Sequence, residues 1–255
     1  MSTQTLNHLH TLRLGGMASQ LSQQLEQPGT YDDLPFLERL DLLVSHELMS
    51  RDQRKQDRLI RQARFKLKAS VQEIDYQHPR GVDKTLIARL AQCDWIRRGQ
   101  NLLMTGPCGS GKTYLACALG HNACLSGYGV RYYRLSRLLL ELTQAKADGT
   151  YTKLLKQLSK VQLLMLDDWG LEPLSAAHRN DLMEIMDDRY GQTATAILSQ
   201  LPTDQWYASI GDNTLADAIL DRLMHNAHRI NLRGESMRKR ENELTEREHP
   251  SRKTD

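Results

Sequence analysis

The segment Gly106-Pro107-Cys108-Gly109-Ser110-Gly111-Lys112-Thr113 constrains this chain more than any other. Three glycines in eight positions allow backbone conformations that a side chain forbids, so successive N–H groups can turn toward one anion. The spacing fits G-x-x-x-x-G-K-[ST], the loop whose amides cradle nucleotide phosphates. In that pattern Lys112 reaches the β- and γ-phosphates and Thr113 ligates magnesium. An apolar strand, Asn101 to Thr105, precedes the loop, and a helical pattern from Lys112 to about Leu125 follows. The helix start directs its positive dipole end at the same anion. The expected ligands are therefore ATP and Mg2+, with Gly106, Pro107, Cys108, Gly109, Ser110, Gly111, Lys112 and Thr113 around the nucleotide.

A second pattern supports the first. Val161 to Leu166 is an apolar run of strand length, interrupted only by Gln162 and followed by Asp167 and Asp168. An acid after a buried strand lies at the carboxyl edge of a sheet, where open α/β sheets bind ligands. Asp167 is expected to hold the magnesium through water, and Asp168 to orient or polarise the attacking water. Phosphoryl transfer needs mainly positioning and charge neutralisation, so few groups suffice. Ala194 to Ser199 is a further buried strand. Ser199 at its end is the first choice for contact with the γ-phosphate or the water, with Gln200 close behind.

Around these motifs strands and helices alternate. A helix passes through Leu86, Ile87 and Leu90; Val130 to Tyr133 is a strand; Leu135 to Lys146, Tyr151 to Leu158 and Ala176 to Tyr190 are helical. Further helices start near Asp204 and run from Asn213 to His225. The alternation predicts an α/β module with a parallel sheet between helices over residues 81–240. Residues 1–68 are expected to form a small all-helical domain, 69–80 a linker broken at His78-Pro79, and 241–255 a disordered tail.

The helix of that first domain becomes strongly basic. Arg51, Arg54, Arg58 and Arg61 recur at spacings of three and four, so they share one face, and Arg64, Lys66 and Lys68 extend the charge. The whole chain carries only +3, so this local concentration is what points to nucleic-acid phosphates, contacted without reading sequence. Lys146, Tyr151, Lys153 and Lys156, with Lys160, form a second, weaker patch. Arg222, among apolar helix positions, is either a solvated or locally paired arginine or a finger inserted into a neighbour's site; Arg238 poses the same question for the γ-phosphate.

The four cysteines have no Cys-x-x-Cys spacing, and Cys108 lies inside the phosphate loop, which predicts reduced thiols in a cytoplasmic protein. The amino-terminal segment has no unbroken apolar core, so no signal peptide is expected, and no stretch reaches the length of a membrane span. The nine histidines show no ligand spacing, and Trp95, Trp169 and Trp206 are expected to pack in the core.

Six phrases carry a family resemblance: Leu-Pro-Phe-Leu-Glu-Arg-Leu (34–40), Ile-Asp-Tyr-Gln-His-Pro-Arg-Gly (74–81), Asp-Asp-Trp-Gly-Leu (167–171), Ser-Gln-Leu-Pro (199–202), Asp-Ala-Ile-Leu-Asp-Arg-Leu (217–223) and Gly-Glu-Ser-Met-Arg (234–238). The chain resembles the IstB-type transposition helper ATPases of bacterial insertion sequences, which are similar to DnaC helicase loaders and DnaA initiators. The resemblance implies an AAA+ module with a reduced C-terminal lid and a homo-oligomer with ATP between subunits. It implies that Arg222 is the arginine finger and Arg238 the lid-side sensor. It also implies an extra helical element near Leu135 to Leu158 facing DNA, and a role in binding target duplex DNA to activate an IstA-type transposase. One departure is Asp168, where many AAA+ proteins carry Glu; the shorter acid is compatible with a slow, switch-like ATPase. The competing readings are a DnaC-like replicative helicase loader and, from another class, a monomeric small-molecule kinase.

Overall fold

A computed structural model describes residues 2–234 of the chain. The fold divides into two compact units at the Arg58/Leu59 junction. Arg238 and the expected lid and tail lie outside the described residues.

The first unit is helical: α1 (Ser2–Thr11), α2 (Gly15–Glu26), α3 (Pro28–Tyr31) and most of α4 (Phe36–Ala63). Its apolar core is thin. Among the described residues Ala18 is the one buried apolar side chain of this unit, while Phe36, Leu37, Leu48 and Met49 stand exposed along α4. A polar clasp does much of the holding. The Glu47 carboxylate accepts from Gly16 N at 2.6 Å and Met17 N at 3.1 Å, filling two of the unpaired donors at the start of α2. Gly16 permits the approach, because a Cβ there would stand 2.8 Å from Glu47 Cα.

The second unit contains α5 (Lys84–Ala91), α6 (Asp94–Arg97), β1 (Asn101–Thr105), α7 (Lys112–Leu125), β2 (Val130–Arg134), α8 (Leu135–Ala147) and α9 (Tyr151–Lys160). It continues with β3 (Leu163–Trp169), α10 (Ala176–Arg189), β4 (Ala194–Ser199), α11 (Trp206–Ile210), α12 (Asn213–Met224) and β5 (Ala227–Asn231). The five strands are parallel, in the order β2-β3-β4-β1-β5.

Side chains alternate across the sheet, and this divides the core in two. Leu102, Met104, Leu163, Met165, Ala196 and Leu198 pack toward α5 and α7. Leu103, Leu164, Leu166 and Ile197 pack toward α8, α10 and α12. Both faces are covered, which is why the central strands are mostly apolar, with Thr195 inside β4 and polar residues toward the strand ends. Trp169 and Trp206 pack in the second layer with ring centroids 5.7 Å apart and planes tilted by 45°.

The observed boundaries depart from the expected ones in three places. Helix α4 ends at Ala63, not Lys68, and Arg64 turns into the left-handed region at φ +56°. Its last turn belongs to the second unit, because Leu59, Ile60 and Ala63 pack in that core. Residues 69–80 are built into the same core, with Ala69, Ile74 and Arg80 buried and a short 3-10 turn at Val71–Glu73. Strand β5 carries no apolar run and is an addition.

Candidate nucleotide site

The strand order sets the site. β1, β4 and β3 are neighbours, so the phosphate loop after Thr105, the pair Ser199–Gln200 and the acids of β3 emerge side by side at the carboxyl edge. Thr105 pairs with Ser199 at the end of the β1–β4 ladder. Between β3 and β4 the register shifts: two residues, Asp167 and Asp168, stand where β4 supplies Leu198 alone. This bulge puts Asp168 at φ +62° and breaks the alternation that would otherwise send the second acid to the opposite face.

The loop needs its glycines for different reasons. Gly106 has φ +149°, and a Cβ there would meet the Leu232 carbonyl at 2.5 Å, so the loop passes directly beneath the chain that leaves β5. Gly111 has φ +91° and lies under the Arg80 guanidinium, which a Cβ would strike at 2.2 Å. Arg80 is buried and donates to the Ser110 carbonyl at 3.3 Å and the Asp75 carbonyl at 3.0 Å. It braces the loop and, with Lys112, lines the nucleotide cavity. Burial lowers the Arg80 pKa, with Asp75 working against that shift.

Lys112 opens α7 and donates to the Gly106 and Pro107 carbonyls at 2.6 and 2.9 Å, placing its ammonium inside the loop. Burial lowers its pKa, and Asp167 partly restores it. Thr113 Oγ1 donates to Asp167 Oδ2 at 2.9 Å. The same oxygen receives the Tyr132 hydroxyl at 2.5 Å, and Asp167 Oδ1 receives the Asp168 amide at 2.9 Å. Burial, then the bond to Asp167, pushes the Tyr132 pKa far up, so the phenol stays a donor. Arg134 Nε lies 3.3 Å from Asp168 Oδ2.

These groups line a cavity of about 440 Å³ that includes Cys108, Gly109, Gly111, Lys112, Thr113, Asp167, Asp168 and Gln200. Ser110 Oγ is buried at the loop without a hydrogen-bond partner among the described residues. The donors fit a magnesium nucleotide: hard oxygens from one hydroxyl and one carboxylate, with the remaining ligands left to phosphate and water. Among the described residues no cluster of three or more His, Cys, Asp or Glu could hold a metal by itself.

Ser199 is placed differently from its expected role. Its hydroxyl is buried, donates to the Trp169 carbonyl at 2.7 Å and accepts from Leu201 N at 3.0 Å, while Gln200 faces the cavity. Arg222 lies on α12, away from the lining, and pairs with Asp187 at 2.7 Å. The Lys146 patch divides. Lys146 and the Tyr151 hydroxyl both bond Asp181, and Tyr151 also bonds Glu184 at 2.8 Å, whereas Lys153 and Lys156 are exposed. On α4, Arg51 bonds Glu47 at 2.7 Å and Arg54 lies 3.8 Å from it; Arg58 and Arg61 are exposed. Sequence reasoning assigned no role to Arg80, Tyr132 or Arg134. Arg80 lies within the 74–81 phrase, and that was its available signal.

Among the described residues no helix is long and apolar enough to cross a membrane. A family model described as IstB-like ATP binding protein matches residues 7–245. The insertion sequence ATP-binding protein y4pL of Sinorhizobium fredii is 47% identical over 235 residues, covering 92% of this chain and 96% of that protein. The ATP-binding protein of insertion sequence IS1162 from Pseudomonas fluorescens is 48% identical over 204 residues, covering 80% and 88%. In fold, the crystal structure of DnaI is similar at a TM-score of 0.55 and 22% identity, over 66% of this chain and 90% of that one. The near-complete sequence match settles the lineage: the chain belongs to the IstB-like ATP binding proteins of insertion sequences.

Proposed function

We propose that this protein is a cytoplasmic, ATP-hydrolysing regulator of transposition that assembles on target duplex DNA and activates the transposase of its insertion sequence. The observation that carries the nucleotide chemistry is the convergence of Lys112, Thr113, Asp167 and Asp168 in one cavity at the carboxyl edge. Magnesium, when bound with ATP, would neutralise charge on the β- and γ-phosphates, held by Thr113 directly and Asp167 through water. Lys112 binds the same phosphates. Asp168 orients the attacking water, and Gln200 rather than Ser199 supplies the polar contact beside it. The short Asp168 side chain and its Arg134 partner both favour slow turnover.

The DNA reading rests on exposed cations without a sequence-reading pattern: Arg58 and Arg61 on α4, with Arg51 and Arg54 partly compensated by Glu47, and Lys153 and Lys156 on α9. Lys146 and Tyr151, engaged with Asp181, position α9 rather than meet phosphate. The transposase is assigned to the first unit, whose α4 leaves large apolar side chains exposed.

The test is sedimentation of the full chain with a linear duplex, with and without ATP, beside Lys112→Ala. A large complex that needs both ATP and Lys112 is the expected result. A protein that stays monomeric and ignores DNA in every condition would remove the assembly reading and favour a small-molecule kinase. Preference for single strands would favour a helicase loader.

A further inference from the structure

The turn that ends α4 delivers a third cation to the nucleotide cavity. Arg64, left-handed at φ +56°, reverses the chain, and residues 65–67 then run along α7. Two contacts clip them there. Phe65 lies so close to Gly120 that a Cβ on that glycine would stand 2.7 Å from the ring. The backbone amides of Lys66 and Leu67 point to the buried thiol of Cys117, one helical turn beyond Thr113. The clip leaves Lys66 on the cavity wall, its ammonium 4.0 Å from Asp167 Oδ2, the oxygen that Thr113 also addresses.

Thr113 and Asp167 would hold the magnesium that accompanies ATP and neutralises phosphate charge. A cation beside that oxygen, its backbone anchored on α7, shares the cavity lining with Lys112 and so lies within the space open to a terminal phosphate. We infer that Lys66 is a γ-phosphate contact that distinguishes ATP from ADP. The inference rests on the nucleotide reading above. A lysine here acts as a flexible point charge, so it can shift from the carboxylate to a phosphate oxygen without moving its clipped backbone.

The experiment measures equilibrium binding of a non-hydrolysable ATP analogue and of ADP, each with Mg2+, to the full chain and to Lys66→Met and Lys66→Arg. For Lys66→Met we expect about a tenfold loss for the triphosphate, close to 1.4 kcal/mol. Its ADP affinity and melting temperature should be unchanged, and Lys66→Arg should retain most of the preference. Equal losses for both nucleotides, or none for either, would overturn the inference and leave the nucleotide site standing. Tighter triphosphate binding by Lys66→Met would overturn it too, showing an ammonium that competes with the metal. A wild-type chain that binds neither nucleotide would remove the site and the inference together.

Discussion

At the residue scale, the most informative pair is Ser199 and Gln200, adjacent in sequence and opposite in role. Ser199 is buried and satisfies two backbone groups, the Trp169 carbonyl and the Leu201 amide, which tie the end of β3 to the turn after β4. Ser199→Ala strands both. The expected cost is about 1–3 kcal/mol in stability, seen as a lower melting temperature. Gln200 has no such duty and faces the cavity. Gln200→Ala should leave the melt unchanged and lower ATP turnover by about a hundredfold, the scale of losing one preorganised polar contact. Turnover lost through Ser199→Ala at unchanged stability, with Gln200→Ala silent, would reverse the assignment. Sequence pattern could not separate the two, because both follow the apolar run; the choice depends on the Trp169 carbonyl, thirty positions away in the chain.

At the element scale, α2 and α4 are joined through a carboxylate. Burial raises the pKa of Glu47, but its bonds from Arg51, Met17 N and Gly16 N, with the charge of Arg51, hold the net value below the ordinary 4.5. A depressed folded value gives stability that is fully present above the unfolded pKa and is lost as pH falls through the folded one. The wild-type chain should therefore exceed Glu47→Gln in helix stability at neutral pH, and the gap should close as pH drops below about 4.5 in far-UV circular dichroism melts. A gap that persists at the acid end would show that the carboxylate charge is not the source. Which elements were legible follows from similar physics. β4 was readable at its full extent, Ala194–Ser199, because burial on both faces demands a mostly apolar run, here broken at Thr195 and closed by Ser199. β5 was not: it is an edge strand, and Ile230 is its one fully buried residue. The end of α4 was hidden because Arg64 adopts a conformation usually left to glycine, with no Gly or Pro to announce it. Lys146 and Tyr151 looked like a solvent-facing patch because their partner, Asp181, arrives from another helix.

At the scale of the whole molecule, the proposed finger role of Arg222 is what would decide how many chains make one active site. Its backbone is fixed at the far end of β1: Asn101 Nδ2 donates to the Arg222 and Leu223 carbonyls at 3.0 and 3.1 Å. The phosphate loop leaves the other end of that strand, after Thr105, roughly 13 Å away at the usual rise per residue. The guanidinium turns to Asp187 and over the Tyr190 ring, and no part of it lines its own chain's cavity. If Arg222 is the arginine finger that the family resemblance implies, this placement would direct it to a neighbour's nucleotide. The consequence is a complementation test. Lys112→Ala subunits lack a working loop but keep Arg222; Arg222→Ala subunits keep the loop and lose the finger. Each alone should be nearly inactive, and a mixture should recover ATP turnover on DNA, since an Arg222→Ala loop can meet a Lys112→Ala finger. The surface pair with Asp187 is worth about 1 kcal/mol or less, so folding failure would not imitate the result. Mixed complexes that assemble yet stay inactive would show that Arg222 does not serve a neighbour's site. Recovery would establish that the catalytic unit is the junction between two chains, and that hydrolysis reports on assembly.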